Sequence, residues 1–188
     1  MYTADYAGRV WLDQNNFVAP FGHFPADYEY VVKYLRYPQI KKRTYYDGLD
    51  EKVLLRLYAE YLKSSGLGWI GFHGNEYGTE RRGYVILQTM NWHPLVYSIH
   101  GGIDPLLWGK GIAQKMYDFA TEYVFEHTEA QKLEGYICRP NRLIEGYFKR
   151  GGMELEHELS HRITHNGNVS GMKVYGLTKE KYHSLKEN

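Results

Sequence analysis

The fold of this chain is decided by residues 103–113, which read Ile-Asp-Pro-Leu-Leu-Trp-Gly-Lys-Gly-Ile-Ala. An apolar run that ends at the start of this stretch predicts a strand, and an amphipathic pattern predicts a helix from Ile112. Between them, Gly109 and Gly111 predict a tight turn that points backbone N–H groups outward at the helix N-terminus. A helix N-terminus favours an anion, and Lys110 adds a positive charge beside it. The sequence therefore predicts a cradle for a diphosphate in this turn.

Two other phosphate-binding motifs do not fit these residues. A Walker loop requires the pattern G-x-x-x-x-G-K-[ST], which the stretch lacks. A dinucleotide-binding fingerprint requires a third glycine where Gln114 stands, in a strand-helix-strand unit near the start of the domain. A turn that binds nothing and serves only the fold stays open as an alternative at this point.

Working outward, the rest of the chain alternates between helical and strand-like patterns. Helices are predicted over 26–37, 50–63 and 141–150, in addition to the helix from Ile112. Strands are predicted over 68–73, 83–90, 95–103, 133–138, 153–164 and 169–177. The first 25 residues are interpreted as irregular, with one short strand at most. This order of elements favours a mixed α/β sheet flanked by helices.

Residues 108–113 resemble the CoA-binding motif of the GNAT superfamily of N-acetyltransferases, whose pattern is [Q/R]-x-x-G-x-[G/A]. Gly111 and Ala113 match this pattern. Trp108 stands where the family has Gln or Arg, so it offers phosphate no charged contact but leaves the backbone donors in place. Downstream, residues 140–153 resemble a second family motif, in which an Asn precedes a helix that carries Tyr-Phe-x-x-Gly.

The resemblance covers residues 68–178 and leaves residues 1–67 as a divergent N-terminal part. It implies one acyl-CoA N-acyltransferase-like domain over residues 1–188, with a GNAT-like, largely antiparallel central sheet. It also implies acetyl-CoA as the co-substrate and an amine, either a small molecule or a protein, as the acceptor. The residues expected to bind CoA are Ile103, Trp108, Gly109, Lys110, Gly111, Ile112, Ala113 and Asn141.

The same resemblance assigns Tyr147 as the acid that gives a proton to the leaving thiolate. His100 is the preferred candidate for the base, since a neutral imidazole near pH 7 can accept a proton; His93 and Glu76 are weaker candidates. Cys138 is interpreted as a small buried apolar residue. No metal is expected, because His157, His161 and His165 fall in a predicted strand, where their spacing sets them far apart.

Composition narrows the remaining function classes. The net charge of +1 disfavours nucleic acid as a partner, and no apolar run is long enough to span a bilayer. Lys41-Lys42-Arg43 and Arg81-Arg82 are interpreted as solvated surface. With one cysteine and no recognisable leader, a cytoplasmic location is expected. The 19 tyrosines fit half-buried packing or a protein-binding surface.

The alternative to an active enzyme is a catalytically degenerate GNAT-like domain that acts as a structural, virion-associated or inhibitory binding module.

Overall fold

The structure is a computed structural model that describes residues 8–22, 24–41, 50–65, 67–75, 78–90, 93–138, 141–165 and 168–187. Strands within these residues form one sheet. They are β1 (Val10–Asp13), β2 (Asn16–Pro20), β3 (Leu67–Asn75), β4 (Gly78–Met90), β5 (His93–Ile103), β6 (Lys132–Ile137), β7 (Glu154–His165) and β8 (Asn168–Thr178). Across the sheet the strand order is β1-β2-β3-β4-β5-β6-β8-β7.

Helices cover both faces of this sheet. They are α1 (Pro25–Leu35), α2 (Pro38–Lys41), α3 (Glu51–Ser65), α4 (Ile112–His127), α5 (Arg142–Arg150) and α6 (Lys179–Lys186), with a 3-10 turn at Pro105–Leu107. Several helix starts follow from their capping residues. Asp50 accepts the N–H of Val53 at 2.9 Å, and Thr178 accepts the N–H of Lys181 at 3.3 Å. Such caps satisfy N–H groups that have no partner inside the helix.

The strand directions place one parallel pair at the centre of the sheet. β5 and β6 run parallel, and α4 connects them, whereas the other neighbouring strands run antiparallel. A parallel pair requires a crossover, and the helix supplies it. The predicted mixed, largely antiparallel α/β sheet is therefore confirmed.

Two apolar cores lie on opposite faces of the sheet. One core packs α4, through Met116, Ala120 and Val124, against alternate residues of the central strands. The other packs α1 and α3, through residues such as Val31 and Tyr58, against the opposite face. The helical spacing of the α4 residues and the alternation along the strands produce this division.

The N-terminal region differs most from the prediction. Residues 10–20 form a hairpin of two strands, where at most one short strand was expected. Phe17, Val18 and Ala19 are consecutive and all buried, because β2 is covered on both faces, so the sequence shows no alternation there. Directly after the predicted helix 26–37, Pro38 begins the short helix α2. The other predicted helices and strands are present with shifted ends, and the single domain over 1–188 remains a prediction.

Among the described residues, no helix combines the length and the apolar character that crossing a membrane requires.

Candidate active site

A cleft opens where the parallel pair of strands separates. The β5–β6 register runs from Val96 opposite Lys132 to Ile99 opposite Gly135 and ends there. β5 continues to Ile103 on one side of the gap, and β6 continues to Ile137 on the other. A cavity of about 230 Å³ occupies the gap. Among the described strands, none pairs with residues 101–103 on this edge, so an extended ligand can approach this stretch of backbone.

This cavity gathers most of the residues predicted from the sequence. Its lining includes His100, Ile103, Trp108, Ala113, Asn141 and Tyr147. Gly109, Lys110, Gly111 and Ile112 form the adjoining turn and the first residue of α4 rather than the cavity wall. Of these, Ile112 is 8% exposed and its side chain lies in the core, so only its backbone can contact a ligand. Cys138, expected to be buried, is half-buried and lines the cavity.

The glycine turn has the geometry of an open anion cradle. Gly109 and Gly111 adopt positive φ angles of 75° and 78°, which side chains rarely tolerate. A Cβ placed on either glycine would meet no atom within 4 Å, so the turn faces open space. Gly111 is the N-cap of α4 and provides no side-chain hydrogen bond to it. The first N–H groups of the helix therefore point outward, where the helix dipole favours a negative group.

Trp108 attaches this turn to the end of β5. Its indole Nε1 donates a hydrogen bond to the carbonyl of Ile103 at 3.1 Å. The half-buried ring also packs against both apolar cores. Trp108 therefore fixes the position of the cradle relative to the cleft, a structural role that a charged side chain at this position would fill less well.

Asp104, which the sequence analysis did not name as a site residue, stabilises the segment that leads from β5 into the same turn. It is 2% exposed. Its carboxylate accepts the N–H of Leu106 at 2.9 Å and a hydrogen bond from Arg82 Nη1 at 2.9 Å. A buried carboxylate is stable only when it is paired in this way. The Asp-Pro pair after a strand was the available sequence signal, since Asp is a frequent first residue of such turns.

His100 lies on β5 and lines the cleft. Its Nε2 is 2.9 Å from the Oγ of Ser98, which is two residues earlier on the same face of the strand. Burial lowers the pKa of His100 from 6.5 to about 4, because the charged imidazolium loses its hydration. The imidazole is therefore neutral at pH 7. A neutral imidazole can accept a hydrogen bond or a proton, although a low pKa makes it a weak base.

Helix α5 brings Tyr147 and Asn141 to the opposite side of the gap. Asn141 is the N-cap, and its side-chain oxygen accepts the N–H of Ile144 at 3.4 Å. Gly135 allows α5 to approach β6 closely, since a Cβ there would lie 2.4 Å from the ring of Phe148. Tyr147, the residue before Phe148, is half-buried and lines the cleft. Gly135 is thus a positioning residue that sequence reasoning missed.

Solved structures of known proteins share this fold. The spermidine N-acetyltransferase of Vibrio cholerae, solved in complex with CoA and spermine, matches with a TM-score of 0.75 and 16% sequence identity over 91% of this chain and 99% of that chain. An acetyltransferase of the GNAT family from Bacillus anthracis matches with a TM-score of 0.71 and 15% identity over 89% of this chain and 96% of that chain. The chain has the GNAT fold. No protein-family model matches the chain, and no curated protein matches it by sequence.

In this divergent GNAT fold, four tyrosines from four elements build one wall of the cleft. They share the face of the sheet that α1 and α3 cover, and we call them the tyrosine wall: Tyr34 of α1, Tyr58 of α3, Tyr84 of β4 and Tyr136 of β6. The hydroxyls of Tyr58 and Tyr84 are 3.0 Å apart, and the ring of Tyr84 meets those of Tyr34 and Tyr58 edge to face. Part of the large tyrosine content of the chain is therefore buried here rather than spread over the surface.

Gly102 shows how closely this wall approaches β5. A Cβ on Gly102 would lie 2.4 Å from the ring of Tyr34, so the ring occupies the space that a side chain would fill. His100, two residues earlier, faces the same side of the strand. The group that approaches Gly102 closely is therefore a protein side chain.

The other residues singled out from the sequence lie away from the cleft or outside the described residues. Arg81 and Arg82 were expected to form solvated surface, but both are in ion pairs with buried carboxylates. Arg81 pairs with Asp27 at 2.8 Å, and Arg82 pairs with Asp104. Glu76, Lys42 and Arg43 lie outside the described residues, and His93 is exposed at the start of β5. Within the described ranges, no group of three or more His, Cys, Asp or Glu side chains is placed to hold a metal ion.

Proposed function

We propose that this chain is a divergent GNAT N-acetyltransferase that transfers the acetyl group of acetyl-CoA to a small amine. The observation that carries the proposal is the separation of β5 from β6 directly beside the open glycine turn. This arrangement offers backbone donors for a diphosphate next to a gap that can take an extended arm. The V. cholerae enzyme with the same fold was solved with CoA and spermine, which supports an amine as the acceptor.

In this proposal the anion is held mainly by the backbone. The outward N–H groups at the start of α4 bind the diphosphate, with Lys110 exposed beside them. Ala113 and Ile103 line the passage into the cleft, and Asn141 lies across it. Because the donors are peptide groups, replacing the family's Gln or Arg by Trp108 leaves them in place.

The proposed chemistry uses two residues on opposite sides of the gap. Bound acetyl-CoA supplies the acetyl group as a thioester, and the acetyl carbon exchanges its bond to sulphur for a bond to the amine nitrogen. His100 accepts the proton that the amine nitrogen loses, directly or through water. The phenol of Tyr147 donates a proton to the departing sulphur, so that CoA leaves as a thiol. Since His100 is a weak base, the amine is expected to enter the cleft in its neutral form.

The proposal is tested by measuring acetyl-CoA binding and turnover separately. Millimolar acetyl-CoA is expected to raise the melting temperature, because a ligand that binds only the folded chain stabilises it. Tyr147→Phe is expected to lower the rate of CoA release about 100-fold while leaving that stabilisation unchanged. A chain that acetyl-CoA does not stabilise would instead support the degenerate binding module. The cytoplasmic location and a protein partner for surface tyrosines stay predictions from the sequence.

A further inference from the structure

We infer that the acceptor, in the N-acetyltransferase proposed above, is a primary amine on an aromatic body that carries no second positive charge. The inference deepens that proposed function and rests on it. It comes from the chemistry of the cleft walls, which bind the part of the acceptor that does not react.

The described residues of the walls present rings and hydroxyls and no carboxylate. None of the described residues that line the cavity is Asp, Glu, Lys or Arg. Its titratable side chains are His100, Cys138 and tyrosines, and burial keeps His100 neutral by lowering its pKa. Transfer of an ammonium group from water into such surroundings is unfavourable without a carboxylate partner. A polyamine would have to bring at least one further ammonium group beside these walls.

Two carboxylates stand just behind the lining, and both are already occupied. Glu134 accepts a hydrogen bond from the hydroxyl of Tyr136 and lies 3.0 Å from Lys132 Nζ. Glu145 accepts a hydrogen bond from the hydroxyl of Tyr175 at 3.2 Å and pairs with Lys173. Glu145 is therefore paired with Lys173, whereas Lys132 is shared between Glu134 and Glu156, which it contacts at 2.7 Å. All three carboxylates are held by these partners, and none of them lines the cavity.

The tyrosine wall suits a flat apolar body. Tyr34, Tyr58 and Tyr84 are each less than a tenth exposed, and their rings already meet edge to face beside His100 and Gly102. A further aromatic ring can continue this edge-to-face packing. The hydroxyls of the wall can bind one polar substituent on that ring. The amine nitrogen would then point to the gap between His100 and Tyr147, where the acetyl group is transferred.

The experiment compares three amines on the full chain with acetyl-CoA: 2-phenylethylamine, ethylamine as the same amine without a ring, and spermidine. We expect kcat/KM for 2-phenylethylamine to exceed the values for both other amines at least about ten-fold, because only this amine buries a ring against the wall. Equal or faster acetylation of spermidine would overturn the inference. Equal rates for ethylamine and 2-phenylethylamine would overturn it as well.

A carboxylate introduced at the exposed edge of the cavity, with a matched control elsewhere on the surface, tests the role of charge. Leu143 lines the cavity but is 45% exposed, so Leu143→Glu should fold and add the missing carboxylate. It is expected to shift the preference toward spermidine about three-fold or more, the range of an exposed ion pair. Leu185→Glu, at a leucine of α6 that is 51% exposed, should leave the preference unchanged. The inference is contradicted if both variants change it equally.

Measuring amine binding distinguishes a failure of this inference from a failure of the proposed function. Calorimetric titration of the chain with each amine, in the absence of acetyl-CoA, measures amine binding without any turnover. Binding of 2-phenylethylamine in preference to spermidine supports the inference even if the chain proves inactive. If acetyl-CoA stabilises the chain but 2-phenylethylamine neither binds nor reacts, the proposed function stands and the inference falls.

Discussion

The glycine turn beside the cleft and the tyrosine wall inside it present different groups to a ligand. The turn at Gly109 and Gly111 offers backbone N–H groups on a contiguous stretch of chain, and it faces open space. The tyrosine wall offers side chains from four elements, and most of it is buried. The glycine turn can therefore accept a changed side chain at position 108 without losing its donors. The tyrosine wall is part of a core, so its changes should affect stability and recognition together.

The largest expected effect is on the tyrosine wall. Tyr84→Ala should lower the free energy of unfolding by about 3–5 kcal/mol, because it removes a large buried ring between Tyr34 and Tyr58. Tyr84→Phe keeps the ring and should cost only about 1–3 kcal/mol, chiefly because the hydrogen bond between the hydroxyls of Tyr58 and Tyr84 is lost. Urea unfolding of the two variants measures the difference. Equal, small losses would show that the wall is not part of the core.

The next effect is a pH dependence at His100, on the same face. The pKa is lowered to about 4 in the folded chain and returns to about 6.5 on unfolding. Between these values the unfolded chain binds a proton that the folded chain does not. The stability contribution is therefore complete above pH 6.5 and declines as the pH falls toward 4, by at most about 3 kcal/mol.

Urea unfolding of the native chain and of His100→Asn, measured from pH 7 to pH 4, isolates this contribution. Carboxylates titrate in the same range in both proteins, so the informative quantity is the difference between the two curves. The native chain should lose stability more steeply below pH 6.5. Parallel curves would contradict the desolvation of His100.

The smallest expected effect on stability is at the glycine turn. Gly111→Ala places a side chain at a positive φ and should cost about 1–2 kcal/mol. Gly8→Ala is the matched control, since Gly8 has a φ of 82° and a Cβ there would make only ordinary contacts with Pro20. Both should lower the melting temperature similarly, but only Gly111→Ala should weaken acetyl-CoA binding, by about ten-fold or more. Equal acetyl-CoA binding by the two variants would remove the turn from the site.

Much of the candidate site could be predicted from the sequence because the residues of each part are neighbours in the chain. The glycine turn, the start of α4 and the cap of α5 by Asn141 each depend on a few adjacent residues with strong local preferences. The resemblance in motif order then connected the turn with Tyr147. The β1–β2 hairpin was missed for the converse reason. β2 is buried on both faces, so its apolar run carries no period that marks a strand.

By itself, the sequence determined the local structure of this protein: the glycine turn, the helix starts and the alternation of buried and exposed residues along the strands. The order of these elements also determined the family that the chain resembles. Only the tertiary structure decided how β5 separates from β6, how Gly135 lets α5 approach and how tyrosines from α1, α3, β4 and β6 meet at one wall. The physical reason is that local preferences act within a few residues, whereas these contacts join residues far apart in the chain. Packing alone also set the protonation of His100 and the hydrogen bond from Trp108 to Ile103, since both depend on what surrounds the side chain.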